Sequence, residues 1–257
     1  MPLLEAKNVS IRFGGLTAVA DFNLTIEPHE LVGLIGPNGA GKTTIFNMLT
    51  GVYHPTEGQI AIEGKSTAGC KPYQITALGV ARTFQNIRLF KELTVVDNVK
   101  IGGHIHYKYS GMSAVLHTNR FHQVEEIAER DAVELLRIFN LETRAQSYAR
   151  NLPYGDQRRL EIARALAVKP KLLLLDEPAA GLNDRETIDL MRTIHDVRDR
   201  FNIAILVIEH NMELVMGICE RIVVLSFGKT IASGTPEEVR ANPVVIEAYL
   251  GERVEVP

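Results

Sequence analysis

The residues between Gly36 and Thr43 have the types and the spacing that phosphate binding requires. They read Gly-Pro-Asn-Gly-Ala-Gly-Lys-Thr, follow a short apolar run and fit the pattern G-x-x-x-x-G-K-[ST]. Small residues allow backbone N–H groups to turn inward around phosphate oxygens, and the N-terminus of a following helix adds a favourable dipole. Lys42 would neutralise charge on the β- and γ-phosphates, while the Thr43 hydroxyl would contact Mg²⁺. The predicted nucleotide-binding residues are Gly36, Pro37, Asn38, Gly39, Ala40, Gly41, Lys42, Thr43 and Thr44.

Two adjacent carboxylates, Asp176 and Glu177, follow four consecutive leucines at residues 172–175. A buried strand would deliver both at its C-terminal end, where ligands bind in α/β sheets. Asp176 would hold Mg²⁺ through its water shell. Glu177 would then lie near the γ-phosphate, where it could orient or deprotonate an attacking water. The alternative is an ordinary strand end with solvated acids, which a phosphate-binding motif in the same chain disfavours.

Hydrophobic periodicity indicates the elements that would position these motifs. Almost continuously apolar runs predict strands buried on both faces, and they occupy Leu31–Ile35 and residues 172–175, 203–208 and 222–225. In the first segment, Val9, Ile11 and Phe13 alternate with polar residues, which predicts a strand at the edge of a sheet. Residues 59–63 alternate again. The N-terminal part is therefore expected to combine antiparallel strands with one buried strand that leads into the phosphate-binding helix.

The middle of the chain, from about Gln85 to Ala167, has few strand-like runs. Apolar residues recur there at helical spacing, namely Val124, Ala128, Ala132, Leu135, Leu136 and Phe139. We predict an inserted helical subdomain at about residues 86–167. Further on, Asn183 can cap a helix with Glu186 completing a capping box, and Thr235 before Pro236 is another helix start. The predicted fold class is α/β, a P-loop NTPase core with an antiparallel β subdomain and the helical subdomain, in one domain over residues 1–257.

Composition and charge exclude several classes of protein. The 257 residues are 46% hydrophobic and 23% charged, which is ordinary for a globular chain. A net charge of −3 offers no global attraction to nucleic acid. The N-terminus has no secretory signal pattern, and no apolar run approaches the roughly 20 residues needed to cross a bilayer. We therefore expect that any function at a membrane is exercised from its surface and through a partner.

Neither the cysteines nor the histidines predict a metal centre. Cys70 and Cys219 lie far apart and are expected to be reduced thiols in a cytosolic protein. The histidines of the middle segment lack nearby acids or cysteines at ligand spacing, so a stabilised loop or a solvated surface is favoured over a metal site. These histidines are His104, His106, His117 and His122. The aperiodic stretch from His104 to Thr118 receives no structural assignment.

Several ordered motifs together make the chain resemble the ATPase subunits of ABC transporters. Gln85, within Arg-Thr-Phe-Gln-Asn, resembles the glutamine that contacts Mg²⁺ and the attacking water and that senses the membrane partner. His210 resembles the switch histidine that touches the γ-phosphate, and Phe13 resembles the aromatic residue that stacks on adenine. Residues 180–183 resemble the loop that faces the other subunit in this family. The family signature corresponds to Leu152, Pro153, Tyr154, Gly155 and Asp156.

The signature departs from the common family form, Leu-Ser-Gly-Gly-Gln. Tyr154 replaces the first glycine, and Pro153 replaces a serine whose hydroxyl normally contacts the γ-phosphate. Proline has neither a hydroxyl nor an N–H, so that contact must be lost or replaced. Backbone N–H groups at residues 154–156, at a helix start, could still bind an anion. Arg158 and Arg159 oppose the helix dipole, and solvated surface is favoured for both over a role at an interface.

The resemblance implies an ATP hydrolase that uses ATP and Mg²⁺. Glu177, His210 and Gln85 would be the catalytic residues, and Thr43, Gln85 and Asp176 would hold the metal. The family works as a head-to-tail dimer, so the expected partners are a second ATPase subunit, identical or paralogous, and membrane-embedded permease subunits. An external solute-binding protein would take part indirectly, and no nucleic acid is expected. The implied location is peripheral, on the cytoplasmic face of the inner membrane.

The variant signature also favours one branch of the family. Together with residues 82–90 and the end at residues 234–239, it resembles the ATPases of branched-chain amino-acid importers. An ATPase for export of lipopolysaccharide or another lipid is the closest alternative. A soluble ABC protein that remodels ribosomes or DNA usually fuses two ATPase domains or inserts a coiled coil, and this chain has neither feature. A nucleotide-sensing module without catalysis is disfavoured by the intact Glu177 and His210.

Overall fold

The computed structural model describes residues 1–107 and 118–250, except for the side chain of Leu250. The chain divides into two compact units, of which the second is Thr83–Pro170 and the first comprises the chain on either side of it. The second unit begins and ends a few residues outside the 86–167 segment expected to be helical. His117, and most of the stretch from His104 to Thr118 that received no assignment, lie outside the described residues.

All strands of the described residues belong to the first unit, and they form two sheets. In chain order they are β1 (Leu4–Phe13), β2 (Leu16–Ile26), β3 (Leu31–Ile35), β4 (Glu57–Ile62), β5 (Lys65–Ser66), β6 (Val80–Arg82), β7 (Leu172–Asp176), β8 (Ala204–Ile208), β9 (Arg221–Ser226) and β10 (Lys229–Gly234). One sheet has the order β2-β1-β4-β5 and is antiparallel. The other has the order β10-β9-β3-β8-β7-β6 and is parallel except for β10.

The apolar runs read from the sequence become the central strands of the parallel sheet. All five residues of β3, β7 and β8 are buried, as expected for strands that are covered on both faces. Because these strands are parallel and adjacent, their carboxyl ends meet at one edge of the sheet. That edge receives the phosphate-binding loop after β3 and the two acids at the end of β7.

The edge-strand prediction for residues 9–13 is wrong. Strand β1 pairs with β2 on one side and with β4 on the other, so it lies inside its sheet. Side-chain alternation indicates which face of a strand is buried, and it carries no information about whether both backbone edges are paired. Phe13, at the end of β1, is exposed, whereas Val9 and Ile11 are buried.

The helices of the first unit are α1 (Lys42–Leu49), α2 (Pro72–Ala77), α6 (Asp184–Phe201), α7 (Met212–Ile218), α8 (Pro236–Ala241) and α9 (Pro243–Leu250). Two of them, α6 and α8, begin where the capping residues in the sequence predict. Asn183 and Glu186 form the predicted capping box of α6, and Thr235 and Glu238 form one at α8. Helix α1 packs in a core shared by both sheets, to which Ile45, Phe46 and Leu49 contribute.

The second unit is helical, as the middle segment predicts. Its helices are α3 (Val95–Gly102), α4 (Asn119–Ile138) and α5 (Tyr154–Leu166). Short 3₁₀ turns occupy His104–His106, Glu142–Arg144 and Ala149–Asn151. Helices α3 and α5 approach closely at Gly102, where an added Cβ would lie 2.4 Å from the carbonyl oxygen of Arg164. Within the described residues, no helix is both long enough and apolar enough to span a membrane.

Candidate nucleotide-binding site

The phosphate-binding loop connects β3 to α1, as the motif requires. Helix α1 begins at Lys42, and its N-cap is Gly41 with φ 102° and no side-chain capping bond. A side chain at the first loop residue is sterically excluded, because an added Cβ on Gly36 would lie 2.2 Å from the carbonyl oxygen of Leu225. The loop therefore depends on glycine both for its left-handed turn and for its close approach to β9.

Lys42 is buried and its ammonium group points back into the loop. It donates to the carbonyl oxygen of Gly36 at 2.6 Å and to that of Pro37 at 3.0 Å. Burial lowers the pKa of Lys42, while the carboxylates of Glu177 and Asp176 act in the opposite direction. The amine is thus held among oxygen acceptors, at the place where the motif puts the β- and γ-phosphates.

A pocket of about 460 Å³ opens over this loop. Of the predicted nucleotide-binding residues, Asn38 to Thr44 line it, together with the two catalytic candidates Glu177 and His210. Its remaining lining residues are Leu16, Thr17, Ala18 and Phe227. Sequence reasoning missed these four, since they come from the β1–β2 hairpin and the β9–β10 turn and belong to no motif.

Phe13, the predicted adenine-stacking residue, is not among the residues that line this pocket. Its ring packs edge-on against Tyr53, with ring centroids 5.2 Å apart. Both aromatic side chains are partly exposed. Stacking of Phe13 on a base therefore stays a prediction, whereas Leu16, its cross-strand partner in the hairpin, does reach the pocket.

Glu177 and His210 lie together at the carboxyl edge of the parallel sheet. His210 Nε2 is 3.3 Å from Glu177 Oε1, and His210 is the more exposed of the two. Glu177 has a left-handed backbone, with φ 47°, and its N–H donates to the carbonyl oxygen of Ile208 at 2.8 Å. A non-glycine residue in this conformation is strained, and such strain concentrates at functional sites. The bond to the end of β8 holds Glu177 in that conformation.

Glu209, which the sequence reading passed over, organises the loops beside this pair. It is buried, and its Oε1 accepts a hydrogen bond from the Ala179 N–H at 2.6 Å. Its Oε2 accepts from the N–H groups of His210 and Asn211, at 2.9 and 3.2 Å. A charged residue directly after the apolar strand β8 is the signal that would have found it. Glu209 thereby ties the histidine loop to the loop that follows Glu177.

Asp176 is buried and paired with a cation that the sequence reading did not single out as functional. Its Oδ2 accepts a hydrogen bond from Arg82 at 2.7 Å, and both side chains are almost fully buried. Arg82 also donates to Asn47 Oδ1 of α1 at 2.8 Å and lies over the Phe46 ring, 5.4 Å from its centroid. The guanidinium thus connects β6, β7 and α1.

The signature residues begin helix α5 in the second unit. Pro153 is the N-cap of this helix and supplies no side-chain capping bond. The first backbone N–H groups of the helix therefore receive no acceptor from the capping residue. Asp156, in the first turn, pairs with Arg144 at 3.0 Å and with Arg159 at 3.5 Å. The predicted helix start is therefore confirmed, whereas anion binding by its N–H groups stays a prediction.

The prediction of a solvated Arg158 is wrong. Arg158 is only 1% exposed, because it donates hydrogen bonds to the carbonyl oxygens of Phe84 and Gln85. Arg159 follows the expectation better, since its side chain is 32% exposed. Two adjacent residues on a helix point in directions about 100° apart, so one arginine can be buried while its neighbour is exposed. Gln85 is an exposed residue, but its backbone carbonyl oxygen accepts a hydrogen bond from the buried Arg158.

Comparisons with known proteins agree with the motifs. Residues 19–180 match the family model described as ABC transporter. The chain is 51% identical to the high-affinity branched-chain amino acid transport ATP-binding protein LivG of Escherichia coli, over 98% of each chain. It is 35% identical to the lipopolysaccharide export system ATP-binding protein LptB of Haemophilus influenzae, over 98% of this chain and 99% of that one. The crystal structure of the ADP conformation of MJ1267, an ATP-binding cassette of an ABC transporter, superposes with a TM-score of 0.84 at 29% identity, covering 98% of this chain and 100% of that one.

The chain therefore belongs to the ABC transporter family, as one of its nucleotide-binding, ATP-hydrolysing subunits. Within that family, its residues 229–255 match a second model, described as branched-chain amino acid ATP-binding cassette transporter. The predicted fold class is confirmed by the same comparisons.

Proposed function

We propose that this chain powers the import of branched-chain amino acids, as a peripheral subunit on the cytoplasmic face of the inner membrane. The observation that carries the proposal is the 51% identity to LivG over nearly the whole of both chains. The match at residues 229–255 supports it independently of the ATPase motifs. Export of lipopolysaccharide is the second candidate, and the lower identity of 35% to LptB makes it the weaker one.

The two units would work as one ABC ATPase domain that binds ATP through the loop at residues 36–44. Lys42 is already surrounded by acceptors at the loop, so phosphate oxygens would replace the Gly36 and Pro37 carbonyls as its partners. Phe13 would stack on adenine from the hairpin that also carries Leu16. The charge of the phosphates would be met by Lys42 and by the N-terminus of α1.

The residues present fit a magnesium ion. Thr43 lines the pocket with a hydroxyl, and Asp176 offers a carboxylate at the adjoining strand end, which are the hard oxygen donors that Mg²⁺ prefers. Gln85 is proposed as a third ligand on its motif alone. When bound, Mg²⁺ offsets the negative charge of the phosphates.

Hydrolysis would depend on the Glu177–His210 pair. Glu177 lines the pocket and would orient or deprotonate the attacking water. His210, 3.3 Å from it, would contact the γ-phosphate. Glu177 and His210 line the same pocket as Lys42, which supports these proposed roles.

The site would be completed by a second subunit. The chain carries one phosphate-binding loop and one signature, so two copies or two paralogues would each cover the ATP of the other with residues 152–156. ATP would favour the closed dimer, and its hydrolysis would reopen it. Closure would pass to the permease subunits through the Gln85 region, while an external binding protein would deliver the substrate.

The test is complementation of an E. coli strain that lacks LivG. We expect the wild-type chain to restore uptake of radiolabelled leucine, and Glu177→Gln to bind a fluorescent ATP analogue normally but to restore none. Complementation of a strain depleted of LptB, without leucine uptake, would favour the export role instead. Wild-type turnover in the Glu177→Gln protein would refute the catalytic assignment.

A further inference from the structure

The second unit contains a buried guanidinium, that of Arg158, which donates to two backbone carbonyl oxygens. Arg158 Nη1 donates to the carbonyl oxygen of Phe84 at 2.8 Å, and its Nη2 donates to that of Gln85 at 2.9 Å. The Tyr154 hydroxyl lies 3.3 Å from Nη2. Arg158 belongs to the second turn of α5, immediately after the signature. One side chain therefore connects the signature helix to two successive peptide groups that flank the Gln85 Cα.

Glu161, one turn further along α5, completes the arrangement from the other side. Its Oε2 accepts from Arg158 Nη1 at 3.1 Å, and it is also 1% exposed. Its Oε1 accepts from the backbone N–H groups of Phe84 and Arg88, at 3.4 and 3.3 Å. Burial raises the pKa of Glu161, while these N–H groups and Arg158 oppose the rise. Arg158 thus binds the carbonyl groups at the start of segment 84–88, and Glu161 binds N–H groups at both ends of that segment.

Such a pair is costly if stability alone is considered. Burying two charges requires desolvation that their mutual attraction often fails to repay, and apolar residues of similar size can be equally stabilising. Apolar residues, however, could not bind peptide groups of an irregular segment. A planar guanidinium with donors in a fixed fork is suited to hold two carbonyls at once. The geometry indicates that the function of the pair is to fix the position of a backbone.

We propose that Arg158 and Glu161, here called the Arg158 clamp, fix the backbone of residues 84–88 to the signature helix so that Gln85 and the signature move as one body. The inference rests on the proposed roles of Gln85 and of residues 152–156. A displacement imposed on Gln85 by a membrane partner would then reach the signature without loss. The clamp residues are positioning residues, since they act through the backbone of residues 84–88.

Adjacent Arg159 provides a matched control. It has the same side chain on the same helix, but it is partly exposed and pairs with Asp156 at 3.5 Å. Arg158→Met and Arg159→Met remove the same charge from neighbouring positions. A difference between the two variants therefore reports the clamp and not the net charge of the unit.

The first measurement is hydrogen exchange of the purified full chain, followed by mass spectrometry. We expect Arg158→Met to increase exchange of peptides covering residues 84–88 on the order of tenfold, with Arg159→Met unchanged. Exchange of peptides covering the phosphate-binding loop, which belongs to the other unit, stays as in the wild type. Equal protection of residues 84–88 in the two variants would overturn the proposal.

The second measurement separates positioning from nucleotide binding. Arg158→Met is expected to lower kcat for ATP on the order of 10- to 100-fold, because small displacements of positioned groups have large kinetic costs. The affinity for a fluorescent ATP analogue stays within about twofold of the wild type, since Lys42 is untouched. An equal loss of kcat in Arg159→Met, or a parallel loss of ATP affinity, would contradict the clamp.

Arg158→Lys covers the case in which Arg158→Met does not fold. It keeps a cation beside Glu161, but a single ammonium lacks the planar fork that reaches both carbonyls. Increased exchange at residues 84–88 with a normal circular dichroism spectrum is the expected result, and wild-type exchange together with wild-type kcat would refute the proposal. Hydrogen exchange requires no ATP turnover, so the two proposals can fail separately. If the wild-type chain fails to restore leucine uptake but Arg158→Lys loses protection at residues 84–88, only the importer role is rejected. Normal uptake by the wild type with unchanged protection in Arg158→Lys rejects the clamp alone.

Discussion

At the scale of single residues, Arg82 shows how a buried charge can organise a site that it does not enter. It is the last residue of β6 and of the N-terminal segment of the first unit. Its guanidinium bonds Asp176 at the end of β7 and Asn47 in α1. These are the elements that carry the magnesium candidate and the phosphate-binding helix. One side chain therefore sets the spacing between the two motifs.

We expect Arg82→Met to lower the free energy of unfolding by about 3–5 kcal/mol, because it leaves the Asp176 carboxylate buried without this partner. Urea unfolding followed by circular dichroism measures the loss. Arg12→Met is the control, since Arg12 pairs with Glu57 at 3.0 Å but both side chains are exposed, and such pairs contribute about 1 kcal/mol or less. Equal losses in the two variants would show that the Arg82 pair contributes no more than a surface pair.

At the scale of elements, the start of α6 is determined locally, by residues that follow Glu177 closely in sequence. Asn183 Oδ1 accepts from the Glu186 N–H at 3.0 Å, and Glu186 Oε2 accepts from the Asn183 N–H at 3.0 Å. The cap follows Ala180-Gly181-Leu182, the segment that resembles the loop facing a second subunit. A stable helix start therefore anchors one end of that loop.

Replacement of Asn183 with alanine is expected to cost about 1 kcal/mol of stability, because the Glu186 N–H loses its acceptor. Asn183→Asp keeps an oxygen at the same place and is expected to stay within a few tenths of a kcal/mol of the wild type. Thermal unfolding of the three proteins measures the difference. A loss in Asn183→Asp as large as that in Asn183→Ala would contradict the capping role.

At the scale of the whole molecule, the two cysteines report on the integrity of the first unit. Both are free thiols; Cys219 is buried next to β3, whereas Cys70 is only partly buried. An added Cβ on Gly33 would lie 3.0 Å from Cys219 Sγ, so the thiol is packed directly against the strand that leads into the phosphate-binding loop. Burial raises the pKa of Cys219 to about 12.

Iodoacetamide at pH 8 is expected to label Cys70 in the native protein and to leave Cys219 unmodified. Only about one Cys219 thiol in 10⁴ would be ionised at that pH, and the thiolate is the reactive form. Denaturant should expose the second thiol, and Cys70→Ser should take up no label until it unfolds. Native labelling of Cys219 as rapid as that of Cys70 would show that the core opens easily. Mass spectrometry of the labelled chain gives the counts.

Local sequence determined much of this protein. Apolar runs predicted β3, β7 and β8, because a strand buried on both faces must be apolar along its whole length. Capping chemistry predicted the starts of α6 and α8, since a cap is an interaction between residues three apart. The phosphate-binding loop and the pair Asp176 and Glu177 were found for the same reason, as each motif is a short continuous segment.

Only the tertiary structure decided which distant residues meet. It placed β1 inside its sheet, because strand pairing depends on backbones far apart in sequence. It buried Arg158 and left Arg159 partly exposed, although both follow the same signature. It also joined Arg82 to Asp176, which are 94 residues apart. The partners of a buried charge are set by packing between elements, and no periodicity in a single sequence records them.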